Sequence, residues 1–123
     1  MTSATDHGRD LYDAAHSTVV DRVIEFIEER YAEQISLRDV AEAVGYSRCH
    51  LTTKFRRATG LSVTAWIIRR RIEEARRLLA SGNLSVAEAS ELVGFGDPCY
   101  FNRQFVRHFG VTPGRFRATM RPE

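Results

Sequence analysis

Apolar residues recur at three- and four-residue spacing along this chain, and no stretch sustains the two-residue alternation of a half-buried strand. Val20, Val23, Ile24, Ile27 and Tyr31 line one face of a helix predicted from about Thr18. Ser36 follows as an N-cap, with Asp39 three residues on as an approximate capping box, for a short helix from Leu37 to Val44 that stops at Gly45. Ser47 caps the next helix, which runs to about Thr59 and ends at Gly60. Ser62 opens a longer helix through about Ala80, with Ile68, Ile72, Ala75 and Leu79 as its buried stripe and Gly82 and Asn83 ending it. The pattern then restarts. Ser85 caps a short helix through Val93, ended by Gly94, and Asp97 with Pro98 at the first helical position opens another through Phe109. Gly110 closes that one, and Thr112-Pro113 begins a last short helix holding Phe116.

The restart is a repeat. Ser36, Leu37, Val44, Gly45 and Tyr46 match Ser85, Val86, Val93, Gly94 and Phe95 at one offset. Leu51, Phe55, Gly60 and Trp66 match Phe101, Phe105, Gly110 and Phe116 after a one-residue insertion in the second turn. Caps, apolar positions and the turn glycine are shared, while the exposed positions between them mostly differ. A short helix, a tight glycine turn and a second helix form a helix-turn-helix, and a small residue such as Ala41 lets its two helices cross closely. The expectation is an all-α fold of about seven helices, with a flexible N-terminal tail over 1–17 and a first helix-turn-helix subdomain over 18–61. A connecting helix over 62–82 then leads to a second helix-turn-helix subdomain over 83–120.

Charge changes the picture. Residues 1–45 hold 4 Arg against 10 Asp and Glu, whereas residues 46–123 hold 14 basic against 6 acidic residues, with Lys54 the only Lys. An Arg-rich segment of this kind suits a polyanionic partner, because clustered positive charge draws phosphate and releases counterions. A solvated Arg-rich surface is the alternative. No apolar run approaches bilayer length and no signal-peptide pattern opens the chain, so no membrane role and a cytoplasmic location are expected.

SLRDVAEAVGYSRCHLTTKFRRATGLSVTAWI and SVAEASELVGFGDPCYFNRQFVRHFGVTPGRFR together resemble the paired helix-turn-helix motifs of AraC/XylS-family transcription regulators. The second segment carries the family's usual ending: Gly94-Phe95, Asp97-Pro98-Cys99-Tyr100-Phe101, Phe105 to Gly110, and Pro113 to Arg117. Ser90 departs from the Ala usual at the close helix crossing. The resemblance covers roughly residues 18–119 and implies a sequence-specific DNA-binding regulator that acts as a monomer on double-stranded DNA. With no room left for an effector domain, it points to the stand-alone, MarA/SoxS-like type. The acidic Asp21, Glu25, Glu28 and Glu29 of the first helix would repel DNA, which leaves that face for RNA polymerase, a further candidate partner, or simply for solvent.

A recognition helix offers the residues of its first turns to base edges in the major groove. The base-reading candidates are Arg48, Cys49, Thr52 and Thr53 in the first unit and Cys99, Asn102 and Arg103 in the second, with Gln104 weaker. Arg103 suits guanine through its two-pronged guanidinium, and Asn102 suits adenine. Ser47, Lys54, Arg56, Arg57, Arg70, Arg77 and Arg107 are the phosphate candidates. On the connecting helix, phosphate contact competes with a surface ion-pair lattice, of which Arg69 and Glu73 are one predicted pair. That helix, at about 1.5 Å per residue, spans about 25 Å and can set two heads about one DNA turn apart.

Cys49 and Cys99 occupy equivalent places, as thiol sensors or as small, weakly polar surface residues. Catalysis is not expected. His7, His16, His50 and His108 lack metal-ligand spacing, and no glycine-rich phosphate loop or paired-carboxylate pocket is visible. No cofactor is expected. The rival function is a helical protein-interaction module whose Arg faces bind an acidic partner.

Overall fold

Seven helices and no strand run through residues 18–120, the part of the chain that the computed structural model describes. They are α1 over residues 18–30, α2 Leu37–Val44, α3 Arg48–Thr59, α4 Val63–Ala80, α5 Val86–Leu92, α6 Pro98–Phe109 and α7 Pro113–Met120. The tail expected over 1–17 lies outside the described residues. The starts of α2, α3, α5 and α6 are set by caps. Ser36 and Ser85 form complete capping boxes with Asp39 and Glu88, Ser47 accepts from the His50 N–H, and Asp97 accepts from the Cys99 N–H. These side chains satisfy backbone donors that the first turn leaves without a helical partner.

The contacts divide the described chain into two compact units. One holds the residues up to Glu29 with Ile35–Thr64, and the other holds Arg30–Gln34 with Ala65 onwards. In the first, Val19, Val23 and Ile27 of α1, Val40, Ala41 and Val44 of α2, and Leu51 and Phe55 of α3 are buried. In the second, Ile72, Ala75 and Leu79 of α4 cluster with Ala89, Val93, Phe95, Phe101 and Phe105. The two units therefore repeat one plan with different fillings. The second is the aromatic one, with ring centroids 5.1 Å apart for Phe95 and Phe101 and 5.8 Å for Phe101 and Phe105.

Two apolar stripes differ from the expected ones. On α1 the fully buried line is Val19, Val23 and Ile27, four residues apart, with Val20 and Ile24 only half-buried beside it. On α4, Ile72, Ala75 and Leu79 are buried as expected, but Ile68 is half-buried while Val63 and Ile67 are buried. Neighbouring residues point about 100° apart on a helix, so the first turns of α4 are covered on a second face that a one-stripe template does not register. The short helix expected to run through Val93 ends at Leu92, with Val93 as its C-cap.

The turns reproduce the repeat at atomic level. Gly45 N–H donates to the Glu42 carbonyl and Tyr46 N–H to that of Ala41, at 3.3 and 3.0 Å. In the second turn Gly94 donates to Glu91 and Phe95 to Ser90, at 3.1 and 3.0 Å. Ala41 and Ser90 are both buried at the crossing of the paired helices, which explains why only a small side chain stands there.

The α5 capping box carries two testable consequences. Ser85→Ala is expected to cost about 1 kcal/mol of stability, read from denaturant midpoints. The Glu88 carboxylate accepts the Ser85 N–H at 2.8 Å, which holds its pKa below the ordinary carboxylate value. Its stabilisation is complete above the unfolded pKa, about 4.3, and is lost as pH falls through the lower folded value. The difference in midpoint between the wild type and Glu88→Ala is therefore expected to be open at neutral pH and to narrow below about pH 4.

Candidate nucleic-acid interface

Recognition-type helices present one buried and one outward line, and α3 and α6 do so in matching register. Leu51 and Phe55 are buried on α3, and Phe101 and Phe105 on α6. On the opposite side of α3 stand Cys49, Thr53 and Arg57, four residues apart and all exposed. On α6 the same positions are Cys99, Arg103 and Arg107, again all exposed. Asn102 is exposed beside this line, and Thr52 and Gln104 are half-buried at its flanks. Both cysteines carry free thiols. Arg56 and Arg57 stand in the last turn of α3, and Arg107 and His108 in that of α6, where the negative end of the helix dipole favours cations.

Arg48 is exposed but does not join the outward line of α3. It shares the side of Leu51 and Phe55, and with Arg38, Ala41, Glu42, Tyr46 and Ser47 it borders a depression of about 550 Å³ over the turn. The second unit repeats the depression at about 320 Å³, bordered by Ala87, Ser90, Glu91, Phe95, Gly96 and Pro98. The basic residues of the first therefore have no counterparts in the second. The Ser47 hydroxyl oxygen accepts the His50 N–H at 3.1 Å, so its O–H proton remains as a donor. Lys54 is half-buried with its ammonium 6.0 Å from the Tyr46 ring centroid.

The arginines of α4 meet protein partners. Arg69 pairs with Glu73 at 3.9 Å and stacks on Trp66 at 4.2 Å. Arg70 pairs with Glu74 at 3.5 Å and lies over the Tyr31 ring at 4.6 Å. Arg77 Nε reaches both Glu74 oxygens at 3.0 Å. Hydrogen bonding from Arg77 leads in holding the Glu74 carboxylate below the usual range, against its partial burial and with help from Arg70. Arg76 lies over Phe109 and Phe116 at 5.6 and 5.5 Å. The lattice alternative is thus the arrangement present along α4.

Two helix-turn-helix units, each with an outward line on its second helix, match a family. A family model described as a helix-turn-helix domain covers residues 40–119. The crystal structure of a probable AraC family transcriptional regulator from Rhodopseudomonas palustris CGA009 matches at TM-score 0.80 and 29% identity, over 86% of this chain and 100% of that one. The chain belongs to the AraC family of helix-turn-helix domains. The transcriptional activator NphR of Rhodococcus sp is 40% identical over 108 residues, 88% of this chain and 31% of NphR. The DNA-binding domain of AdpA, solved with a target DNA, matches at TM-score 0.77 and 30% identity, over 81% of this chain and 90% of that one. This AraC-family chain spans about a third of the length of several curated relatives it matches. Those relatives do not speak for the stand-alone type expected from the sequence.

Other residues shape the AraC-family heads without having stood out in the sequence. Arg71 Nε donates to the Tyr31 carbonyl at 2.6 Å and its Nη2 to that of Glu33 at 2.8 Å, clamping the segment that follows α1 within the second unit. Burial lowers its pKa, though an arginine stays charged in any case. Gln34 Nε2 donates to the Gly94 carbonyl at 2.9 Å, tying the same segment to the second turn. Arg117 Nε donates to the Leu84 carbonyl at 2.5 Å, just ahead of the α5 cap. In the run Arg69-Arg70-Arg71 the available signal was register, since Arg71 falls three residues after Ile68 and four before Ala75, beside the apolar stripe. No helix among the described residues is long and apolar enough to cross a membrane, and no cluster of metal-ligating side chains occurs among them.

Proposed function

We propose that this chain is a sequence-specific DNA-binding transcription regulator that inserts α3 and α6 into successive major-groove segments. The observation that carries the reading is the outward line Cys99, Arg103 and Arg107 on α6, repeated in register by Cys49, Thr53 and Arg57 on α3. The likeness to the DNA-bound AdpA domain and to regulators of the same family supports it. Arg103 and Asn102 read bases in the second segment. Cys99, Cys49, Thr52 and Thr53 offer short side chains suited to thymine methyl groups, and Arg48 reaches in from the turn. Lys54, Arg56, Arg57 and Arg107, with the Ser47 hydroxyl, hold phosphates. Arg70 and Arg77 are left out of that set because Glu74 already holds both. The chain binds as a monomer, and the exposed acidic residues Asp21, Glu25, Glu28 and Glu29 face away from DNA toward RNA polymerase.

Selection of the purified chain on a randomised duplex library at near-physiological salt tests this. Enrichment of an asymmetric site with two segments about one helical turn apart is expected. Enrichment of nothing would favour the protein-interaction reading. On the selected site, Arg103→Ala is expected to cost about 1–3 kcal/mol and to relax preference at one base pair. Arg107→Ala is expected instead to weaken all duplexes alike and to flatten the salt dependence of binding. Cross-linking to RNA polymerase on that site, lost on charge reversal at Glu25 and Glu29, checks the remaining contact.

A further inference from the structure

The reading of Arg103 as a base contact leaves a physical problem. An arginine standing on an exposed helix face samples many rotamers, and each must be surrendered when the guanidinium docks on a base. Arg103 is not left to do so alone. Its guanidinium carbon lies 5.7 Å from the centroid of the Tyr100 ring, one helical turn earlier. Tyr100 is half-buried and packs against Phe95, with centroids 6.0 Å apart. Phe95 is buried in the second unit's core, and the Arg71 guanidinium lies 5.9 Å from its ring. Arg71 is itself fastened to the carbonyls of Tyr31 and Glu33. A cation, two rings and a second cation thus follow one another from the clamped segment after α1 to the outward face of α6.

We propose that Tyr100 is a positioning residue for Arg103: its braced ring holds the guanidinium on the groove-facing side of α6 before DNA arrives. The proposal rests on the base-reading role of Arg103. The ring's negative face attracts the guanidinium, and Arg retains its planar, two-pronged donor set while stacked. The first head does not repeat this pair. At the positions corresponding to Tyr100 and Arg103 it carries His50 and Thr53, and the His50 ring meets Tyr46 edge-on at 6.4 Å. The two heads therefore differ at this place, with a stacked arginine on α6 and the short Thr53 on α3. Selectivity is expected to be concentrated in the DNA segment read by α6.

The test uses the whole chain and the duplex enriched from the library, with the base pair at which Arg103→Ala relaxes preference as the reporter. The ratio of dissociation constants for the preferred and the substituted pair is measured for each variant. Tyr100→Leu is expected to lower that ratio about two- to fivefold, and Tyr100→Phe to preserve it. In the Arg103→Ala background, Tyr100→Leu is expected to change it no further. An unchanged ratio in Tyr100→Leu, or an equal loss with and without Arg103, overturns the positioning role. An equal loss in Tyr100→Phe also overturns it, since the hydroxyl and not the ring would then be the agent. If Arg103→Ala itself leaves base preference intact, the base-reading assignment fails and this proposal falls with it. Should Tyr100→Leu not fold, the unaltered free chain answers by NMR. Ring-shifted δ-methylene protons on Arg103, set against unshifted ones on Arg107, support the stack, and unshifted protons on both overturn it.

Discussion

Gly94→Ala is expected to destabilise the second unit by about 3 kcal/mol or more, whereas Gly45→Ala at the matching turn costs about 1 kcal/mol. Both glycines have positive φ, 75° at Gly45 and 101° at Gly94, so any side chain there strains the backbone. The surroundings differ. A β-carbon at Gly45 would meet nothing within 4 Å. At Gly94 it would lie 2.9 Å from the carbonyl oxygens of both Tyr31 and Ala32, which are backbone atoms and cannot swing aside. The same segment is held by Arg71 and Gln34, so relief of the clash would strain those bonds as well. Denaturation of each variant, followed by circular dichroism, checks this. Equal losses at the two turns would mean that the close approach at Gly94 does not persist in solution.

Phe105→Ala is expected to remove about 3–5 kcal/mol, the largest single loss among core truncations in the second unit. The ring is fully buried and touches three others, with centroids 5.8 Å from Phe101, 4.9 Å from Phe109 and 5.7 Å from Phe116. Its loss leaves a ring-sized void between α6 and α7 that aromatic neighbours, stiff and already packed, fill poorly. Because the units are separate clusters, amide signals of α2 and α3 are expected to survive conditions under which those of α6 and α7 broaden or vanish. Binding should follow suit, with loss of the segment read by α6 and retention of phosphate-driven affinity through α3. Uniform loss of all signals would show instead that the units unfold together.

Much of the fold was legible because its signals are local. Capping side chains, αL glycines and Pro98 act within four residues of themselves, so the starts and stops of α2, α3 and α6 and the start of α7 could be read directly. The repeat was legible for a related reason. The buried positions of a helix-turn-helix must satisfy the same geometry twice, whereas its outward positions are free to diverge. The outward placement of Cys49, Thr53, Cys99, Asn102 and Arg103 followed from helical register once Leu51, Phe55, Phe101 and Phe105 were taken as core. The same register sets Arg48, three residues before Leu51 and seven before Phe55, on their side of α3 and off the outward line, where the base-reading expectation had not put it.

The amino-acid sequence by itself determined the all-helical class, the doubled motif, the caps and the two outward lines, since each rests on residues close together in the chain. Only the tertiary structure decided which arginines are spent within the protein. Arg70, Arg71, Arg76 and Arg77 belong to one helix, yet one pairs with Glu74 under Tyr31 and another clamps the carbonyls of Tyr31 and Glu33. A third lies over Phe109 and Phe116, and the fourth grips Glu74 from solvent. Likewise only the fold separates Gly94, pressed against the Tyr31 and Ala32 carbonyls, from Gly45 with open space around it. The physical reason is common to both. Charge and glycine are local facts, but what a guanidinium or a missing side chain meets is set by segments tens of residues away.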